Sequence, residues 1–162
     1  MKNKHPQKIV PFLWFDGSAE AAVKHYLSIF KKSRIVEILR CGDAGPGPKG
    51  SVLTISFELE GQRFVALNGG PHYKFSPAIS LFVHCKNQKE VDALWNKLSA
   101  GGQKLACGWV TDKFGVTWQI CPTILLDYLN DKNPTKAKNV MQAMMTMEKL
   151  DINRIKQAYR KE

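Results

Sequence analysis

The stretch Gly108-Trp109-Val110-Thr111-Asp112-Lys113-Phe114-Gly115-Val116-Thr117-Trp118-Gln119-Ile120-Cys121-Pro122 decides how this chain is read. Two apolar-rich runs flank Asp112 to Gly115, and a glycine supplies the positive φ that a tight reversal needs. The pattern predicts a β-hairpin. Its second arm alternates, with Val116, Trp118 and Ile120 on one face and Thr117, Gln119 and Cys121 on the other. The apolar face suits packing against a helix. The face with a hydroxyl, an amide and a thiol points to something other than plain core.

Working outward, the preceding residues predict a strand over Ile79 to Cys85 and a helix opened by the capping box Asn87/Glu90. That helix carries the stripe Val91, Leu94, Trp95, Leu98 and stops at Gly101-Gly102. A short strand over Lys104 to Cys107 leads into the hairpin. The N-terminal half has the same plan. Ile9 to Phe15 reads as a strand buried on both faces, Ser18 as the N-cap of a helix with stripe Ala22, Val23, Tyr26, Leu27, Phe30. Strands follow over Ser33 to Cys41, Ser51 to Glu60 and Arg63 to Asn68, interrupted by the glycine- and proline-rich loop 42–50. Two β-α-β-β-β units form an internal repeat, over 9–72 and 78–122. Residues 123–162 form a helical tail. Its middle helix, capped by Asn133 with Pro134 at the first turn, carries Ala137, Val140, Met141, Met144 and Met147. Asp151 opens the last one. The expected class is α+β, one domain of 162 residues, and residues 1–8 are a lead-in.

Composition removes several functions. No apolar run approaches the roughly 18 residues of a membrane helix, and Met1 to Pro6 lacks the apolar core of a secretory signal, so a cytoplasmic location is expected. The four cysteines, Cys41, Cys85, Cys107 and Cys121, form no Cys-x-x-Cys and read as reduced thiols. Net charge is 24 − 14 = +10, but the cations are scattered and no nucleic-acid-binding motif accompanies them. Specific nucleic-acid binding is not expected. The loop 42–50 lacks the Gly-Lys-Ser/Thr of a phosphate-binding loop.

Several stretches resemble the PhnB-like branch of the vicinal oxygen chelate superfamily, which includes glyoxalase I, extradiol dioxygenases and bleomycin-resistance proteins. They are Pro11 to Gly17, Gly45 to Ser51, Ala66 to Pro71, Cys107-Gly108-Trp109 and Asp112 to Gln119, and the resemblance is read over 9–160, tail included. It implies that each unit curls an open sheet around a cavity with its helix outside, and that two chains form a homodimer; the Met-rich helix, whose side chains fill irregular apolar gaps, is the segment expected in part of that interface. Metal-dependent members hold a divalent ion at positions that fall near Pro11, Asn68, Ile79 and Gln119 in this chain. None is His, Glu or Asp, so neither that metal nor any other cofactor is expected here. The branch is also labelled demethylubiquinone methyltransferase-like, yet no Gly-x-Gly turn follows the opening strand to hold a methyl donor.

Alternation places Leu13, Phe15, Ala66, Asn68, Gln119 and Cys121 on the cavity face, and Trp14, Val65, Leu67 and Trp118 toward the helices. His72 follows Gly-Gly-Pro at the rim, and Trp109 can stack on a planar ligand. His84 points to the helix layer. Cys121 lacks a base to activate it, and no catalytic residue can be named. The expected function is metal-independent binding of a small molecule. Alternatives are a drug-sequestering resistance protein, a metal-dependent glyoxalase or dioxygenase, and a basic nucleic-acid binder.

Overall fold

The computed structural model describes residues 7–161 and divides into two compact units, 1–74 and 75–162. Of the expected lead-in, residues 1–6 lie outside the described part, with His5 among them.

The first unit runs β1 (Phe12–Phe15), α1 (Ala19–Ile29), β2 (Ser33–Arg40), β3 (Val52–Leu59) and β4 (Gln62–Asn68). Its sheet has the order β1-β4-β3-β2, with β1 parallel to β4 and the other pairs antiparallel. The β3–β4 turn has positive φ at both Glu60 (48°) and Gly61 (92°), the twist that a two-residue hairpin prefers. Leu13, Phe15, Ile55, Phe57, Phe64 and Ala66 share one face by register and are buried. The buried side of α1 (Ala22, Val23, Tyr26, Ile29) covers them, Tyr26 stacking on Phe57 at 6.4 Å. Burying this apolar layer drives the unit's folding. β1 is shorter than expected and one-sided: Ile9 and Phe12 are exposed.

The second unit repeats the topology as β5 (Leu81–Cys85), α2 (Gln88–Ser99), β6 (Gln103–Lys104), β7 (Trp109–Thr111) and β8 (Thr117–Pro122), with order β5-β8-β7-β6 and β5 parallel to β8. Val110, Trp118 and Ile120 form the face buried under α2, as alternation predicts. The strand expected over Lys104 to Cys107 sits earlier because Cys107 adopts φ 60° and turns the chain. The hairpin is held by one carboxylate. Buried Asp112 accepts hydrogen bonds from the N–H groups of Phe114 (2.8 Å) and Val116 (3.1 Å) and from Trp118 Nε1 (2.8 Å).

The tail forms α3 (Thr123–Leu129), α4 (Pro134–Met145) and α5 (Ile152–Tyr159). Asn133 and Asp151 cap α4 and α5 as their positions predict. Cys121, Leu125, Val140, Met147, Leu150, Ile155 and Ala158 make a joint core, so the tail covers part of the sheet face opposite α2. The α4 stripe is split: Val140 points in, while Met141 is exposed. No helix among the described residues is long and apolar enough to cross a membrane.

Candidate functional site

A pocket of about 540 Å³ opens in the first unit where β1 and β4 end, α1 begins and the loop 42–50 returns. The start of α1 is not capped by the Ser18 side chain. Instead Asn68 Oδ1, at the end of β4, accepts a hydrogen bond from Ala19 N–H (2.9 Å), while Asn68 Nδ2 donates to the Val52 carbonyl (3.0 Å). One amide thus ties β3, β4 and α1 together beside the pocket.

Trp14 forms a wall. Its Nε1–H donates to the Gly70 carbonyl (2.8 Å), and Tyr73 meets its ring edge-on with centroids 4.9 Å apart. Gly69 lies so close that a Cβ there would sit 2.3 Å from the indole. Leu53 and Leu67 add apolar surface, Asp16 and Glu20 add carboxylates at the start of α1, and Cys41 adds a buried thiol. The loop is shaped by its own bonds: Cys41 N–H to Ser51 O and Gly50 N–H to Cys41 O, both 2.8 Å, and Ser51 Oγ to Pro48 O, 2.6 Å. Apolar walls with a few placed polar groups suit a small organic ligand. Among the described residues no lysine, arginine or histidine lines the pocket, and its ionisable groups are the Asp16 and Glu20 carboxylates and the Cys41 thiol.

The expected site residues are therefore rearranged. Leu13, Phe15 and Ala66, assigned to the cavity face, lie in the layer under α1, because the buried face of β1, β3 and β4 is the one that α1 covers. Trp14 and Leu67, assigned to the helices, line the pocket. Asn68 also lines it, with its amide engaged as described. His72 is exposed beyond the pocket wall. In the second unit Trp109 and Gln119 are paired on the face opposite Trp118, half-buried, and Gln119 Nε2 donates to Ser80 Oγ (2.7 Å). Cys121 shares that face but is enclosed by the tail, and burial pushes its thiol up to about 11. The Cys85 thiol, likewise desolvated and also facing the charges of Glu90 and Cys121, is pushed up to about 12. Neither is a nucleophile near neutral pH. His84 does not enter the helix layer. It is exposed, pairs with Cys121 in register and packs on Phe82 at 4.9 Å. Reading from sequence missed Asp16, Glu20, Cys41, Leu53 and the loop wall. The signal available was the pair of glycine-rich stretches Gly45 to Ser51 and Gly69-Gly70, both of which contribute to the pocket lining.

The residues do not fit a divalent metal. Pro11 and Asn68 stand at opposite ends of the β1–β4 ladder, since Asn68 pairs with Phe15, four residues and about 13 Å along the strand from Pro11. Matched register gives the neighbouring open-face pairs Phe12/Val65 and Phe82/Gln119. Three of these four are hydrocarbon and the fourth is a neutral amide, a poor donor set for such an ion. No cluster of three or more His, Cys, Asp or Glu able to hold a metal occurs among the described residues.

Comparison with known proteins fits this architecture. The family profile described as 3-demethylubiquinone-9 3-methyltransferase matches residues 7–121. The PhnB protein of Bacillus cereus is 38% identical, with the match covering 72% of this chain and 100% of that one at a TM-score of 0.67. Protein PA1353 of Pseudomonas aeruginosa shares the fold at 22% identity, over 72% of this chain and 98% of its own, TM-score 0.60. A glyoxylase/bleomycin resistance protein/dioxygenase domain from Frankia sp. EAN1pec also matches, at 14% identity over 71% of this chain and 95% of that one, TM-score 0.44. No curated protein matches. The family match ends at residue 121, so the tail, which the resemblance was read to include, lies beyond it. The chain belongs to the PhnB-like family, the one described as 3-demethylubiquinone-9 3-methyltransferase.

Proposed function

We propose that this PhnB-like chain binds a small organic molecule in the pocket of its first unit, and that binding requires no metal. The carrying observation is the 540 Å³ pocket walled by Trp14, Leu53 and Leu67, with Asp16 and Glu20 at its mouth. That volume fits a metabolite- or drug-sized ligand. The family's description names a methyl transfer. The chain has no Gly-x-Gly turn after its opening strand to hold a methyl donor, so binding without methyl transfer is the reading we favour. The test is mass spectrometry of small molecules released from the purified protein, followed by titration of any molecule found. Filling the pocket with Leu67→Trp should weaken binding at least about tenfold, and addition of chelator should leave it unchanged. Equal affinity in the variant would refute this location. Micromolar binding of S-adenosylmethionine by calorimetry would restore the methyltransferase reading.

We also propose that the chain works as a homodimer. The edge strand β2 exposes Ile35, Val36, Ile38 and Leu39, and α4 exposes Met141 and Met145. An exposed apolar edge strand is a liability that a partner chain removes. A monomeric mass by light scattering at micromolar concentration would refute it.

A further inference from the structure

The two sheets share strand order and pairing sense, so register maps each position of one onto the other. Phe15 pairs with Asn68 and Cys85 with Pro122 at the ends of the two parallel ladders. One step back, Trp14 pairs with Leu67 and His84 with Cys121. Ser56 opposite Val65 corresponds to Trp109 opposite Gln119, so Thr54 and Ile55 correspond to Cys107 and Gly108. In the first unit Trp14 and Leu67 are pocket walls. In the second unit Cys121, the counterpart of Leu67, is covered by Met147 and Leu150 of the tail.

The covering segment is the link between α4 and α5. Its carbonyls take the N–H groups of Cys107 (to Met147 O, 2.7 Å) and Gly108 (to Glu148 O, 2.7 Å). Gln88, the first residue of α2 as Ala19 is of α1, donates to Leu150 O (3.1 Å) and accepts from Ile152 N–H (2.9 Å). Lys149 Nζ reaches Asp92 Oδ1 (2.6 Å). Leu150 comes so close to Gly108 that a Cβ there would meet its Cδ1 at 2.9 Å. The same corner of the repeat, at the end of the parallel ladder and the start of the helix, is therefore open in one unit and filled in the other. The filling belongs to the part of the chain past the family match, so it is added to a unit that the family match covers without it.

We propose that residues 147–152 are a resident occupant of the second unit's copy of the ligand position, which becomes available when the tail lifts. The inference rests on the pocket of the first unit being a ligand site. The backbone groups the tail satisfies define what replaces it: an apolar molecule bearing carbonyl acceptors, of amide, ester or ketone type, directed at the Cys107 and Gly108 N–H groups. The chain then offers one open position, plus a second in competition with its own tail. By linkage, a ligand that takes the second position must loosen the tail.

Nile red, a neutral apolar dye with a carbonyl acceptor, tests this on the full-length chain. The wild type should bind one dye per chain, and Leu67→Trp should abolish it. Gln88→Ala should make the Cys107 and Gly108 amides exchange about tenfold faster with solvent and add a second dye that Leu67→Trp does not remove. Faster exchange with the dye count still at one would overturn the proposal. If Gln88→Ala leaves those amides protected, Leu150→Asp forces release, with continued protection of the β8 amides showing that the sheet is intact. A failure to gain a second dye in that variant would equally overturn it. Should the wild type bind no dye while the released variants gain one, the assignment of the first pocket falls and with it the reading of the second position as its copy, leaving only a tail-covered binding position in the second unit.

Discussion

Gly69→Ala is the change that most directly tests the pocket wall. The backbone at Gly69 is not left-handed, so alanine carries no conformational penalty of that kind. The cost is steric. An added Cβ would lie 2.3, 2.4 and 2.6 Å from Cε2, Cζ2 and Cδ2 of Trp14, far inside van der Waals contact. The indole is fixed by the 2.8 Å bond to Gly70 O and the 4.9 Å edge contact with Tyr73, so it must leave both to make room. Overpacking costs about 1–3 kcal/mol. The lost hydrogen bond adds about 1 and the aromatic contact about 0.5–1 kcal/mol. Because relaxation trades these against one another, we expect a net loss of about 2–4 kcal/mol. Gly70→Ala is the control: it has φ +86° and nothing within 4 Å of an added Cβ, so only backbone strain of about 1–2 kcal/mol arises. Urea unfolding followed by circular dichroism measures both losses, and tryptophan emission reports whether Trp14 has moved into water. Gly69→Ala should shift the emission to the red and weaken any ligand of the pocket, and Gly70→Ala should leave the emission nearly unchanged. A Gly69→Ala protein with native emission and a loss below about 1 kcal/mol would refute the argument that Trp14 is locked as a wall.

Further outcomes follow from the second unit and the tail. Asp112→Asn should destabilise the chain by about 2–4 kcal/mol, since an amide NH2 would confront Trp118 Nε1–H where Oδ2 now accepts; a loss within about 0.5 kcal/mol would show that the carboxylate is not the hairpin's anchor. With a thiol-specific disulfide reagent near pH 8, half-buried Cys107 should react first and Cys85 and Cys121 only on unfolding; prompt labelling of Cys121 in the native protein would contradict its enclosure by the tail. The docked tail should loosen at both ends of the pH scale, read by hydrogen exchange at α5. The hydrogen bond from Lys149 holds the Asp92 carboxyl, and the Tyr159 hydroxyl holds that of Asp131, below the ordinary 3.8. Their contributions are therefore present above that value and lost as pH falls beneath it. Hydrogen-bonding to Asp131 raises Tyr159 above its ordinary 10.0, so its contribution is present below that pH and lost on further rise. Protection that stays constant through both limits would remove these groups from the account of docking.

Much of the architecture is legible along the chain because it rests on local rules. The caps Asn87, Asn133 and Asp151, the helix stripes and the paired strand plan all depend on residues within a few positions of one another. Even so, the Asn87/Glu90 box is modified: Glu90 reaches the N–H of Lys86 rather than that of Asn87. Which face of a strand meets the helix is a different kind of question. Period-2 alternation separates two faces but does not say which one the helix covers, and in β1 and β4 both faces are apolar enough for either answer. The parallel register and the docking of α1 settled it, turning Trp14 and Leu67 to the pocket and Leu13, Phe15 and Ala66 to the core. The cap on α1 shows the same limit. Ser18 is the local candidate, yet the acceptor is Asn68, 49 residues away, because the strand end reaches the helix start first. The hairpin 108–122 falls between the two cases. Its turn and its alternation are local, whereas the fate of its polar face was decided by the tail. Leu150 and Met147 enclose Cys121, while Trp109 and Gln119 stay half-buried. Sequence determined which elements form; long-range packing decided which of their surfaces are left to bind anything.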